Sequence, residues 1–263
     1  MDHKAITSLK KHALAPGMTR RGFMKTTAAA GLGTVLSSSI WSQAHAETPS
    51  KGGTLRLGAD GGASTDTLNP LQSFGVDHTQ SVAFSTYDTL TEMDGDGQAQ
   101  PSLAESWEGS ADGTWAIRLR KGVEFHNGKT LTAQDVVWSL KQHMNEDNKN
   151  AEGKQIVGNM SEIRADGDDM VIIKQSEVNF DLPAHLSSTG LMIAQEGSED
   201  WNNGNGTGPY TLETWEPGVR YTGKKFANFY RDDQGHFDAV EILNVADAAA
   251  RAAGLLSGSL DAI

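Results

Sequence analysis

The chain has 263 residues, 37% hydrophobic and 21% charged, with 29 glycines and 7 prolines, a globular composition with room for one large or two modest domains. Having no cysteine, it is excluded from disulfide frameworks, thiolate metal sites and cysteine nucleophiles. A formal net charge of -12 argues against a nucleic-acid partner, because phosphate binding needs clustered Lys and Arg.

The first 46 residues differ from the rest. "TRRGFMK" at 19–25 is followed by the weakly apolar "TTAAAGLGTVLSSSI" and then by "AHA" before Glu47. A basic region, a short apolar stretch and small residues at a cut site make an export signal, with cleavage expected after about Ala46. Arg20, Arg21, Phe23 and Lys25 resemble the twin-arginine motif, which implies the twin-arginine export machinery as a partner. A membrane anchor is the rival reading, but the apolar run falls short of the roughly 20 residues that span a bilayer. Without the leader's six Lys/Arg and its Asp2, the remaining 16 basic and 33 acidic residues give a net charge of -17. An acidic, exported, periplasmic protein is expected.

Beyond a polar linker, "GGTLRLGA" alternates as a short strand and runs into the Gly/Ser/Asp loop "DGGASTDTLNPL". Val82, Ala83, Thr86 and Tyr87 are spaced for a helix face. Residues 89–125 alternate short apolar runs with Asp-Gly turns, which predicts antiparallel hairpins. "TAQDVVWSLKQHM" is the clearest helix, with Val136, Val137, Leu140 and Met144 on one side. "NEDNKNAEGKQ" reads as a polar loop, and "SEIRADGDDMVIIKQ" as a hairpin turning on Gly167. "FDLPAHLSS" reads as a helical turn, "GLMIA" as a buried strand and "GSEDWNNGNGTGPY" as a loop. A hairpin around Pro217-Gly218, a strand at "FDAVEILNV", an alanine-rich helix and the start of a strand at "LDAI" complete the chain. Mixed strands and helices with several hairpins indicate an α/β or α+β fold with a mixed sheet.

"VEFHNGKTLTAQDV" at 123–136 concentrates polar residues. Asn127-Gly128 is a strong hairpin signal, which a type I′ turn with both residues at positive φ would satisfy. Thr132 and Asp135 form a capping box, and Leu131 with Val136 a hydrophobic staple. Glu124 and His126 remain, two apart on one strand face. They offer two ligands at most, so a metal or carboxylate hydrolase at this pair is the rival to a binding protein. No pattern of a serine or metal hydrolase, dinucleotide site or phosphate loop occurs, and neither catalytic residues, a metal nor a cofactor is expected. The ligand-holding features are two glycine-rich loops. One is Ala59, Asp60, Gly61, Gly62, Ala63 and Ser64, where backbone groups can approach a ligand and Asp60 can meet an amine. The other, residues 203–208, holds Asn205, Gly206 and Thr207; both could equally be ordinary surface loops. Trp107, Trp115, Trp138 and Trp215 read as core, and Trp201 as an aromatic free to face a ligand or partner.

"PSLAESWEGSADGTWAIRLRKGVEFHNGKTLTAQDVVWSL" resembles the signature region of the extracellular solute-binding proteins of the peptide/nickel class, which serve ABC importers. The match runs through Leu103–Trp107, Gly122–His126, Gly128 and Thr132–Val136. "GTGPYTLETWEPG" at 206–218 resembles a second signature, and "ILNVADAAARAAGLLSGSLDAI" the crossover after it. The resemblance implies a periplasmic binding protein of type II with two lobes closing on a peptide or similar solute, and permease subunits as partners. It places the start of domain I at 47–85, a small domain II at 86–200 and a return to domain I at 201–263. Members of the family are longer, so the second lobe is expected to be missing and the cleft incomplete. Nickel chelates, opines and sugars are the alternatives to peptides; a chaperone-like envelope protein is a third reading. A monomer is expected.

Overall fold

Alternating apolar side chains build two separate four-stranded sheets, and the chain leaves the first sheet to make the second before returning. The structure, a computed structural model, describes residues 51–263 except 73 and, before them, positions 9, 11, 12, 15, 18, 19, 23 and 25–27. Arg20, Arg21, the apolar stretch after them and Ala46 lie outside the described residues. In chain order the elements are β1 (Thr54–Ala59), α1 (Asp77–Thr86), β2 (Thr91–Met93), β3 (Ala99–Pro101), β4 (Ala104–Gly109), β5 (Thr114–Leu119), α2 (Ala133–Gln142), α3 (Ala151–Val157), β6 (Met160–Ala165), β7 (Met170–Gln175), α4 (Leu182–His185), a 3₁₀ turn (Thr189–Leu191), β8 (Tyr210–Glu216), β9 (Arg220–Lys225), β10 (Ala239–Asn244) and α5 (Ala248–Ser257).

The first sheet has the order β1-β10-β9-β8, with β1 parallel to β10 and the other pairs antiparallel. The "LDAI" end touches β1 through one parallel bridge, Leu57 to Ala262. The second sheet, β4-β5-β7-β6, is antiparallel throughout. On β5, Trp115, Ile117 and Leu119 point inward, as do Val171 and Ile173 on β7. They meet Val136, Val137 and Leu140 of α2 in one core. Burying each such side chain stabilises by about 1.5–3 kcal/mol. A smaller core joins β1, β8, β9 and β10 to α1 through Ala59, Val82, Tyr210, Tyr221 and Ile242.

The capping box at 132–135 forms: the Asp135 carboxylate accepts from the Thr132 N–H and hydroxyl, each at 2.9 Å. Asp135 is fully buried, pairs with Lys129 and accepts the Glu196 N–H at 2.8 Å. The hairpin before it forms with a different turn. Gly128 is at φ +85, Asn127 is not at positive φ, and the Gly128 N–H donates to Phe125 O at 2.8 Å. A three-residue loop with glycine alone in the left-handed region replaces the expected type I′ turn.

Two other expectations are corrected. Residues 151–155, expected as part of a loop, form α3 together with Ile156 and Val157. The Asn150 side chain caps it by accepting the Gly153 N–H at 2.8 Å and donates to Gly190 O at 2.8 Å. Tertiary burial of Gly153 and Val157 sustains a helix that propensity alone would not. "GLMIA" is buried, as expected, but makes no strand. Its backbone is satisfied singly, Ile193 N–H by Asp88 O at 2.9 Å and Ala194 N–H by the Ser139 hydroxyl at 3.0 Å. An apolar run reports burial, not the presence of a strand partner.

Candidate functional site

Where β1 ends, a cleft of about 310 Å³ opens between the strand end, the outer face of α1 and α5. Val82, Ala83 and Thr86 turn one face of α1 into the core. The other face therefore presents Asp77, Gln80, Ser81 and Phe84 to the cleft, Phe84 being 49% exposed. From α5 comes Arg251, whose guanidinium meets the Asp60 carboxylate at 2.9 Å. Its Nη1 also donates to the carbonyls of Val245 at 2.7 Å and Ala246 at 3.2 Å. One side chain thus ties the exit of β1 to the exit of β10.

Loop 59–64 is held from behind by side chains. The Asn244 amide accepts the Gly62 N–H at 3.2 Å and donates to the carbonyls of Gly62 and Gly218, at 3.0 and 2.7 Å. Asp66 accepts the Ala63 N–H at 2.9 Å. Ala59 O accepts from Val245 N–H at 2.7 Å, and Asp60 O from His78 N–H at 3.0 Å. Gly61, at φ +83, leaves room for Val76, which an added Cβ would approach to 2.7 Å. Ser64 is exposed. Much of the loop's backbone is therefore already hydrogen-bonded, which leaves the Asp60 carboxylate as the loop's charged group facing the cleft. Beneath it His78 is fully buried, stacked on Trp215 at 6.0 Å and 3.7 Å from Asp66. Burial pushes the His78 pKa below its usual value, and Asp66 partly opposes that.

Loop 203–208 has a different environment. His126, at the tip of the 123–131 hairpin, sets Nδ1 3.0 Å from Gly204 O and Nε2 2.9 Å from Gly208 O. Its own N–H donates to Gly206 O at 2.8 Å, and its ring lies edge-on to Phe226 at 5.0 Å. Burial lowers the His126 pKa, with the two carbonyls opposing. Asn205 accepts the Asn127 N–H at 3.1 Å and donates to Gln195 at 2.9 Å. Thr207 is fully buried and donates to Asp88 at 3.0 Å. Burial pushes Asp88 up to about 6, against hydrogen bonds from Thr207 and Tyr230 and the charge of Arg231. Gly206 has no space to spare, since an added Cβ would fall 1.9 Å from Thr86 O.

Glu124 and His126 do not converge. Glu124 accepts from Asn228 at 2.8 Å, while His126 is enclosed by the 203–208 carbonyls. Among the described residues, no group of three or more His, Asp or Glu could hold a metal ion. Trp201 is half-buried. Sequence reasoning missed Arg251, Asp77, Gln80 and Phe84. The signals were a lone cation in an alanine-rich helix and an aromatic off the apolar stripe of α1.

Residues 98–263 match the sequence model of the bacterial extracellular solute-binding proteins, family 5, middle part. Over 239 residues the chain is 28% identical to the oligopeptide-binding protein AppA of Bacillus subtilis, covering 86% of this chain and 43% of AppA. Over 206 residues it is 31% identical to the glutathione-binding protein GsiB of Salmonella choleraesuis, covering 75% and 40%. AppA solved with a nonapeptide superposes with a TM-score of 0.71 at 25% identity, over 81% of this chain and 44% of that one. AgaA from A. tumefaciens R10, solved with agropinic acid, superposes at 0.70 and 25%, over 79% and 43%. The chain spans about two fifths of the length of these curated relatives. The mixed α/β, type II binding-protein architecture expected from the sequence is thus borne out for that portion.

Proposed function

Because the chain belongs to the bacterial extracellular solute-binding proteins of family 5, we propose that it captures a solute for an ABC importer, with peptides as the leading class. Members of this family bind solutes and are not enzymes. The observation that carries the reading is the cleft at the end of β1, with Asp60 and Arg251 on its wall. Relatives that bind an oligopeptide and glutathione favour peptide-like ligands. Loop 59–64 faces the ligand; Asn205, Gly206 and Thr207 contribute by holding the far loop in shape. Permease subunits are the partners, the working form is a monomer, and the place of action is the periplasm. The leader at 1–46, with Arg20 and Arg21, supports export by the twin-arginine route and cleavage after about Ala46.

The division into domain I (47–85 and 201–263) and a small domain II (86–200) is supported by strand sharing. β1 and β8–β10 form one sheet, whereas β4–β7 form the other. The residues of β1, α1 and α5 line one side of the cleft, and a tight site encloses roughly 70–90% of its ligand. Calorimetric titration with a peptide library is expected to give saturable binding that Asp60→Ala reduces. An absence of saturable binding would sink the reading, and insensitivity to Asp60→Ala would sink its location.

A further inference from the structure

The wall of this cleft carries a specific charge arrangement. Asp60 and Arg251 present opposite charges side by side, with 2.9 Å between their facing atoms. Asp60 Oδ2 meets Arg251 Nη2, and Arg251 Nη1 is taken by the carbonyls of Val245 and Ala246. Asp60 Oδ1 and Arg251 Nε are left without a protein hydrogen bond among the described residues. Arg251 cannot follow a ligand outward, because the two carbonyls and the α5 backbone hold it. It is only 18% exposed, whereas Asp60 is 42% exposed.

Such a pair responds weakly to a single charge. The attraction of a ligand ammonium to Asp60 is partly offset by repulsion from Arg251, and a ligand carboxylate meets the mirror-image problem. A ligand with both charges on one carbon matches both groups at once, its ammonium on Asp60 Oδ1 and its carboxylate on the Arg251 Nε–H. Asp77 adds a second carboxylate to the cleft lining. Phe84 and Leu57 supply apolar wall for the carbon skeleton next to it.

We infer that the Asp60–Arg251 pair reads a free α-amino-acid end, an α-ammonium and an α-carboxylate on the same carbon. The solute class is then free amino acids or conjugates joined through the side chain, such as γ-glutamyl peptides, in preference to linear α-peptides whose two terminal charges stand apart. The inference deepens the proposed function and rests on the β1 cleft being the ligand site.

Two isomeric dipeptides separate the ideas. γ-L-Glutamyl-L-alanine and α-L-glutamyl-L-alanine have the same atoms and net charge, but only the first keeps its ammonium and carboxylate on one carbon. The full chain would be titrated with each while amide and arginine Nε–H resonances are followed by NMR. The expected result is saturable shifts at Asp60, Gly61 and the Arg251 side chain, with at least about tenfold tighter binding of the γ isomer. N-acetylation of the γ isomer should abolish that preference, and so should Asp60→Asn or Arg251→Gln in variants whose melting curves stay cooperative. If Arg251→Gln does not fold, Asp60→Asn and the acetylated probe carry the test alone. Equal affinity for the two isomers, with shifts at the same residues, overturns this inference and leaves the cleft assignment standing. Shifts confined to other parts of the chain, or none at all, overturn both.

Discussion

Loops 59–64 and 203–208 are both rich in glycine, yet one borders open space and the other is packed shut. In the first, side chains behind the loop hold its backbone and leave Asp60 facing a cleft. In the second, the backbone itself is the packing surface. Gly206 and Gly208 lie against the end of α1, and the carbonyls of Gly204, Gly206 and Gly208 enclose His126. Glycine serves two ends here: it allows a left-handed turn in the open loop and close backbone approach in the closed one. A glycine-rich loop is therefore evidence of a special backbone, and its surroundings decide what that backbone is for.

Breaking the closed loop should have the largest effect. Gly206→Ala forces a Cβ to 1.9 Å from the Thr86 carbonyl. Chemical denaturation is expected to show a loss of about 3 kcal/mol or more, or no cooperative transition at all. A mild effect would mean that this joint is looser than its geometry. Next comes the charge beneath the same loop. Burial pushes Asp88 up to about 6 from its ordinary 3.8. Between about pH 4 and 6 the folded chain holds a proton that the unfolded chain has released, so stability falls as pH rises through that window, by at most about 3 kcal/mol. Melting curves across the range should show the decline, and Asp88→Asn should flatten it. An unchanged slope in that variant would reassign the titration to another group.

The open loop should respond less. Asn244→Ala frees the Gly62 N–H and the carbonyls of Gly62 and Gly218. These groups can turn to solvent, so a loss of about 1–2 kcal/mol is expected, together with faster amide exchange at 60–63. Exchange unchanged there would show that Asn244 is not what shapes the loop. Smallest of all, Asp60→Ala breaks a partly exposed ion pair and should change stability by less than about 1 kcal/mol. Under the proposed function its larger effect falls on ligand binding, and a large stability loss with unaltered binding would reverse the roles given to the two loops.

The 123–136 stretch illustrates how far local reasoning reaches. Thr132 and Asp135 form their capping box because its hydrogen bonds span three residues, and α2 follows from the spacing of Val136, Val137 and Leu140. The turn type was less legible: three-residue and two-residue loops share the Asn-Gly signal, and only Gly128 adopts positive φ. The role of His126 was invisible locally, since its partners lie about 80 residues away in sequence. The same holds for α3, whose cap is fixed to Gly190 and whose burial depends on His143.

By itself the sequence determined most of the strands, the main helices, the presence of the hairpin and cap at 123–136 and the family signature. Each depends on the period of apolar residues or on hydrogen bonds a few positions apart. Tertiary structure alone decided which glycine-rich loop borders a cleft, that Arg251 meets Asp60 and that His126 closes the other loop. Those contacts join residues some 80 to 190 positions apart, and composition or periodicity near either partner carries no information about the distance between them.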